Sequence, residues 1–190
     1  GVQTCALPIC VMRFLDEIDD KAAMLGAVNT VVNDGGKLIG YNTDYFGMDY
    51  ALKSLGISLS GRHVVVLGTG GAGVTAKALA KNSGAASVTV VSRKGGADGV
   101  TYEEIYRKQE TEIIINATPV GMFPAEDEMP LDIGKFPSLV GVFDCIYNPL
   151  RTNLVLAAKN RGINCGGGLM MLAAQRSEER RVGKECRSRW

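Results

Sequence analysis

The stretch His63–Leu79, HVVVLGTGGAGVTAKAL, constrains the fold of this chain more than any other. Val64–Leu67 is a short apolar, largely β-branched run of the kind that forms a strand buried on both faces. Gly68, Gly70, Gly71 and Gly73 then crowd into six residues. Behind them Val74, Ala78 and Leu79 recur at helical spacing, so the run reads strand, tight turn, helix. That is the setting a Gly-x-Gly-x-x-Gly fingerprint requires. Gly68 permits the turn, Gly70 lets a pyrophosphate approach the backbone, and Gly73 lets helix and strand pack closely, with phosphates on the free N–H groups of the helix start. A glycine-rich turn can also be a plain tight connection, so the motif draws its weight from this context.

The second apolar strand, Ala86–Val91, ends in Ser92-Arg93-Lys94. In a dinucleotide fold this strand end meets the adenosine ribose, where an acid serves the 2′-hydroxyl of NAD and an Arg accommodates the 2′-phosphate of NADP. No acid stands there. Arg93 offers a planar fork for a phosphate and Lys94 a second charge, which favours NADP; the alternative is a solvated basic loop. A methyltransferase would also want an acid near Ser92.

Further along, Tyr102–Lys108 predicts a short helix, Glu112–Asn116 a third strand, Val140–Ile146 another, Asn153–Arg161 a helix stopped by Gly162, and Ile163–Cys165 a last strand. Phe123–Pro137 is irregular, and its acids Glu126, Asp127 and Glu128 read as solvated loop. Strands alternating with helices predict an α/β fold, a Rossmann-type doubly wound parallel sheet. Upstream, Val11–Leu25 places Phe14, Leu15, Ile18, Ala22 and Leu25 at helical intervals, with Gly26 as the stop. AVNTVVN and KLIGYN flank Asp34-Gly35-Gly36, a hairpin signal. Tyr45, Met48, Leu52 and Leu55 predict a helix that Thr43 or Asp44 would cap. On pattern alone, Asp44 is a cap and Asn29 a backbone partner.

Composition excludes several classes. No apolar run is long enough to span a bilayer and no signal peptide opens the chain. Cys5, Cys10, Cys145, Cys165 and Cys186 form no C-x-x-C pair and no metal-ligand spacing with His63, the one histidine, so a reduced cytoplasmic setting without a metal is expected. The formal charge is +1. The last fifteen residues, RSEERRVGKECRSRW, hold six basic and three acidic side chains, which leaves the rest at −2. Neither nucleic acid nor an anionic membrane is favoured as a partner. Residues 1–10 and 176–190 break the apolar patterning and read as sequence foreign to the fold, the alternative for the latter being a natural basic tail.

Six segments, GAVNTVV, GYNTD, VLGTGGAG, INATPVGM, DCIYNPLRT and GGGLMMLAAQ, follow one another in the order and spacing of the shikimate dehydrogenases, and from about Val11 to Gln175 the chain resembles that family. The resemblance implies NADP-dependent, reversible reduction of 3-dehydroshikimate to shikimate. It implies that Asn29 and Asp44 hold substrate hydroxyls, that Asp44 is also half of a catalytic Lys-Asp pair, and that Tyr147 and Gln175 reach the substrate. It assigns Gly68, Gly70, Gly71, Ala72, Gly73, Ser92, Arg93 and Lys94 to the dinucleotide. Asn116, Ala117, Thr118, Val120 and Met122 are expected beside the nicotinamide, and Gly168 among the cofactor contacts. Asp44 could then cap with one oxygen and face substrate with the other.

The implied domains are a remnant of a substrate-binding α/β domain at 11–45, an NADP-binding domain at 46–165 and a returning helix at 166–175. The family's N-V-T-x-P-x-K segment has no match where ALPICV stands, the first lysine is Lys21, and the Ser-x-Ser substrate motif is also unmatched. A fragment lacking half of its acid–base pair is therefore expected, inactive as it stands and self-associating through uncovered apolar surface. For a native family member, a monomer and a homodimer are both open. A quinate/shikimate dehydrogenase and a dinucleotide-binding module without catalysis are the other readings; Arg93 argues against the NAD use that would mark the former.

Overall fold

The computed structural model describes residues 2–4, 11–95 and 99–185, without the side chains of 2–4, 184 and 185. In chain order the strands are β1 (Val2–Thr4), β2 (Glu17–Ile18), β3 (Thr30–Asp34), β4 (Lys37–Tyr41), β5 (His63–Leu67), β6 (Ser87–Val91), β7 (Gly99–Val100), β8 (Ile113–Asn116), β9 (Gly141–Asp144) and β10 (Asn164–Gly166). The α-helices are α1 (Asp20–Leu25), α2 (Thr43–Ser54), α3 (Gly71–Asn82), α4 (Asn153–Asn160) and α5 (Leu169–Glu185).

Six strands form one sheet in the order β10-β9-β8-β5-β6-β7, and every pairing in it is parallel. The order reverses direction at β5, between β8 and β6, the switch point where open α/β sheets bind ligands. Both faces are covered. Val64, Val66, Ile113, Ile115 and Phe143 pack with Met48, Leu52, Leu79 and Met171 on one side. Val65, Leu67, Ile114 and Val142 pack with Ile105, Phe136, Leu154 and Ala158 on the other. Alternate residues of β5 thus serve opposite cores, which is why its sequence is apolar without a break.

The second sheet runs β1-β3-β4-β2. Strands β3 and β4 form the expected hairpin, with Asp34 opposite Lys37 across Gly35-Gly36. Its other pairings depart from expectation. Val11–Leu25 is helical only in its second half: Met12–Phe14 is a 3-10 turn, Glu17–Ile18 pairs with Ile39–Gly40, and Asp19 caps α1 by accepting from the Lys21 N–H at 3.0 Å. The backbone bonds at the edge of β4 outweigh the 3.6-residue periodicity there, and Phe14 is left 68% exposed. Val2–Thr4, inside the opening stretch that fits no pattern, pairs antiparallel with Thr30–Val32. The expected assignment of residues 1–10 otherwise lies outside the described residues.

Three further differences bear on the site. The Tyr102–Lys108 helix is a single 3-10 turn at Glu104–Arg107, preceded by the two-residue strand β7. The cap of α2 is Asn42, whose side-chain oxygen accepts from the Tyr45 N–H at 3.2 Å, not Thr43 or Asp44. Helix α5 continues past Gln175 to Glu185 and buries Glu179 and Val182, so residue 175 is no structural boundary. Ion pairs Arg176–Glu179 and Arg181–Glu178 at i,i+3 spacing support that extension.

Candidate active site

The dinucleotide end is built from backbone. Gly68 has φ 101°, a left-handed value, and a Cβ there would stand 2.9 Å from the Ala117 carbonyl oxygen. A Cβ on Gly73 would run into the Gly68 carbonyl itself. Helix α3 begins after Gly70 with no side-chain cap, so its first N–H groups point outward without an intramolecular side-chain partner. A cleft of about 220 Å³ opens beside them, lined by Gly68, Thr69, Lys77, Val90, Ser92 and Gly95 among others. Cradle and uncapped helix start together fit a pyrophosphate. Ser92 turns inward, its Oγ donating to the Gly95 carbonyl at 2.8 Å, and leaves Arg93 and Lys94 exposed at the rim. Arg93 lies near Tyr102, whose pKa burial raises and the guanidinium lowers in part.

The loop after β8 is held differently. Asn116 is fully buried, and its Oδ1 accepts from the Thr118 N–H at 3.1 Å and the Thr118 hydroxyl at 2.7 Å. Its Nδ2 donates to Asp144 Oδ1 at 3.0 Å. Asn116 therefore shapes the 117–122 loop from within, and Met122 stands exposed at the loop's tip. Gly168 is likewise engaged inside the chain: its N–H donates to the Ile146 carbonyl and its carbonyl accepts from the Leu172 N–H.

The third group is made of side chains from β3, α2 and α5. Asn29, 8% exposed, accepts at Oδ1 from the Thr43 N–H at 2.9 Å and from the hydroxyls of Thr30 at 3.1 Å and Thr43 at 3.3 Å. Three donors on one oxygen fix the amide's orientation, so Nδ2 faces the other way. It is buried and makes no hydrogen bond of ordinary geometry among the described residues. It lies beside Asp44, close enough to lower that carboxyl's pKa. Burial nevertheless raises the Asp44 pKa above the usual range, and the neighbouring Glu179 carboxylate raises it further. Because Asn42 caps α2, neither Asp44 oxygen is needed for that task.

Gly47 makes the group possible, since a Cβ there would stand 2.7 Å from the Met171 carbonyl and 3.3 Å from Gln175. That close approach sets α5 against α2 and brings half-buried Gln175 alongside, its Nε2 donating to Glu179 at 3.5 Å. Cys145, just past β9, feels the Asp44 and Asp144 charges, which with burial push its thiol pKa up. Asp44 therefore lies over the C-terminal edge of the parallel sheet. Tyr147 stands on the same segment, 52% exposed and outside the hydrogen-bonded group.

No protein-family model matches the chain. Individual proteins do. It is 37% identical over 189 residues to the shikimate dehydrogenase (NADP(+)) of Symbiobacterium thermophilum, covering 87% of this chain and 63% of that protein. It is 36% identical over 188 residues to the enzyme of the same name from Clostridium beijerinckii, covering 93% and 68%. The chain belongs to the shikimate dehydrogenase family. A solved structure from Thermus thermophilus, shikimate 5-dehydrogenase in complex with NADP(H) and shikimate, superposes with a TM-score of 0.83 at 33% identity, over 95% of this chain and 70% of that one. The chain thus spans about two thirds of the length of its relatives in this family.

Five residues of this family member to which the sequence reading gave no part in the site, Asp144, Thr152, Thr30, Thr43 and Glu179, bond to or adjoin the predicted site residues. Asp144, fully buried, closes the apolar run VGVFD, and an acid ending a buried strand is itself a signal. Thr152 caps α4 while donating to Asp144 Oδ2 at 2.6 Å. Thr30 and Thr43 orient Asn29. Glu179 carries no such signal, because it sits among surface-like charges. No helix among the described residues is long and apolar enough to cross a membrane.

Proposed function

We propose that this chain is part of an NADP-dependent shikimate dehydrogenase, which as a whole reversibly reduces 3-dehydroshikimate to shikimate. One observation carries the reading: the buried Asn29 Nδ2, which makes no hydrogen bond of ordinary geometry among the described residues, beside the Asp44 carboxylate. A hydroxyl both accepts and donates, so an amide donor next to a carboxylate acceptor satisfies it completely. A polyhydroxylated ring is the substrate class such a pair suits, and Gln175 adds a second amide. The shikimate-bound relative and the NADP(+) of its relatives' names support the assignment.

When bound at the glycine cradle, NADPH supplies the hydride equivalent. The chain's residues do the rest. Asn29 and Asp44 orient the hydroxyl next to the reacting carbon, and Gln175 and Tyr147 bound the ring. Asp44, whose pKa burial raises, holds a proton more readily than an exposed acid; the lysine that the family resemblance pairs with it has no match in this sequence. Arg93 and Lys94 hold the 2′-phosphate. Residues 11–45 with 166–175 form the substrate side and 46–165 the cofactor side, in a cytoplasmic protein for which a monomer and a homodimer are both open. Sedimentation of the full chain tests the dimer.

The functional test is calorimetric binding of shikimate to the full chain in the presence of NADP⁺, compared with Asn29→Leu. Shikimate affinity that falls at least about a hundredfold in the variant while NADP⁺ affinity is kept supports the reading. NADP⁺ binding with no shikimate binding in the unaltered chain would instead favour a dinucleotide module without catalysis.

A further inference from the structure

The sheet order places the 2′-phosphate candidates at the end of β6 and the glycine cradle at β5. A dinucleotide anchored at both continues in the same direction, toward the end of β8 and the loop that leaves it. That loop has no regular structure of its own between Ala117 and Met122. Its shape is imposed from below, by one buried amide and the carboxylate behind it.

We propose that Asp144 is a positioning residue for the nicotinamide half of the cofactor, acting through Asn116 on the 117–122 loop. The inference rests on the NADP reading above and goes beyond it by assigning Asp144 a part in holding that half alone. Asp144 and Asn116 face one another across the register of β9 and β8. Asp144 Oδ1 receives the Asn116 amide and the Ile146 N–H, each at 3.0 Å, and Oδ2 receives the Thr152 hydroxyl. A carboxylate can only accept in this arrangement, so it dictates that Asn116 presents Nδ2 to it and Oδ1 to Thr118. Thr118, fixed through both its N–H and its hydroxyl, in turn accepts from the Val120 N–H at 3.3 Å. The chain of donors runs unbroken from a buried strand end to the middle of the loop.

Orientation matters because an amide can flip. Without the carboxylate, Nδ2 keeps only the long bond to the Val120 carbonyl at 3.5 Å, and the Thr118 N–H is left to select Oδ1 with little support from the other end. The other anchors of Asp144, Ile146 N–H and Thr152, lie on the segment that carries Tyr147, so one carboxylate ties the loop to that neighbouring segment. No hydrogen bond of this network is made to the glycine cradle or to Arg93; Ala117 and Thr118 meet Gly68 by packing alone. Its loss should therefore be felt at one end of the ligand.

Calorimetric titration of the full chain with NADP⁺ and with adenosine 2′,5′-bisphosphate, which lacks the nicotinamide, separates the two ends. In Asp144→Ala the bisphosphate affinity should stay within about twofold, while the advantage of NADP⁺ over the bisphosphate falls about tenfold, as expected for loss of a charge-assisted bond. Asp144→Asn, which keeps an oxygen for Asn116, should restore most of that advantage. Thr118→Val cuts the same chain on the loop and guards against misfolding of the first variant; it should reproduce a selective, smaller loss of NADP⁺. Equal losses for both ligands, or an unchanged advantage in Thr118→Val, would make Asp144 a structural residue only and overturn the inference. If neither ligand binds the unaltered chain, the cofactor reading fails and this inference falls with it.

Discussion

The cofactor edge and the substrate group lie over the same end of one sheet, yet they are made of different material. The first is backbone: two glycines without room for a Cβ, an uncapped helix start, and a charged rim. The second is side chains from the start of β3, α2 and α5, more than a hundred residues apart in sequence, with Asn29, Thr30 and Thr43 fixed by hydrogen bonds to one amide oxygen and Gln175 bonded to Glu179 within α5. A backbone site tolerates changes of charge and fails on changes of volume. A side-chain site behaves the other way round, because its groups are already desolvated and each depends on its neighbour.

Gly73→Val would break the comparison at its strongest point. The side chain meets the Gly68 carbonyl, which cannot yield without moving β5 from α3. Loss of NADP⁺ binding by at least about a hundredfold is expected, with a destabilisation of about 1–3 kcal/mol or more, seen by calorimetry and thermal melting. The Asp44→Asn substitution preserves volume and removes charge. Shikimate affinity should drop by about a hundredfold while NADP⁺ affinity stays within about twofold.

The same variant should be more stable, not less. The folded pKa of Asp44 lies above its unfolded value, so its stabilising contribution is complete below the unfolded pKa and is lost as pH rises through the folded one. At neutral pH the native chain holds a charge that burial and Glu179 disfavour. Melting of Asp44→Asn should exceed that of the parent at pH 7, and the gap should close toward pH 3. A lower melting point at pH 7 would mean that Asp44 has a favourable partner not seen among the described residues.

A smaller effect is expected from Gly47→Ala. Its Cβ presses on the Met171 carbonyl and moves α5 from α2 by a few tenths of an ångström. Shikimate affinity should weaken by about tenfold through displacement of Gln175, with NADP⁺ binding unchanged. If NADP⁺ suffers equally, the two regions are one mechanical unit and not two separable sites.

The same contrast governs what could be read from the sequence. Val64–Leu67 and its glycines announce strand, turn and helix together, because a backbone site must be written in residues without side chains. Arg93 was legible from its place after β6. Asn29 and Asp44 were not legible from pattern at all: on local rules they were a backbone partner and a helix cap, and only the family resemblance gave them chemistry. Asn42 takes the cap, a choice that depends on its second bond, from Nδ2 to the Ala27 carbonyl at 3.0 Å, which no local rule contains.

Elsewhere tertiary pairing overrode the periodic signal. Glu17–Ile18 left a helical pattern for an edge of β4, and α5 ran beyond the last apolar repeat because Val182 and Glu179 find cover against the rest of the chain. Asp144 was visible in the motif DCIYNPLRT but had no stated part, since its partners Asn116 and Thr152 stand on other elements.

The most direct test of the account is calorimetric titration of the full chain and of Arg93→Ala with NADP⁺ and NAD⁺. The account predicts that the unaltered chain prefers NADP⁺ by at least about tenfold, that Arg93→Ala removes most of this preference, and that NAD⁺ affinity is the same in both. Equal affinity for the two dinucleotides in the unaltered chain, or a preference that survives the loss of Arg93, would contradict it.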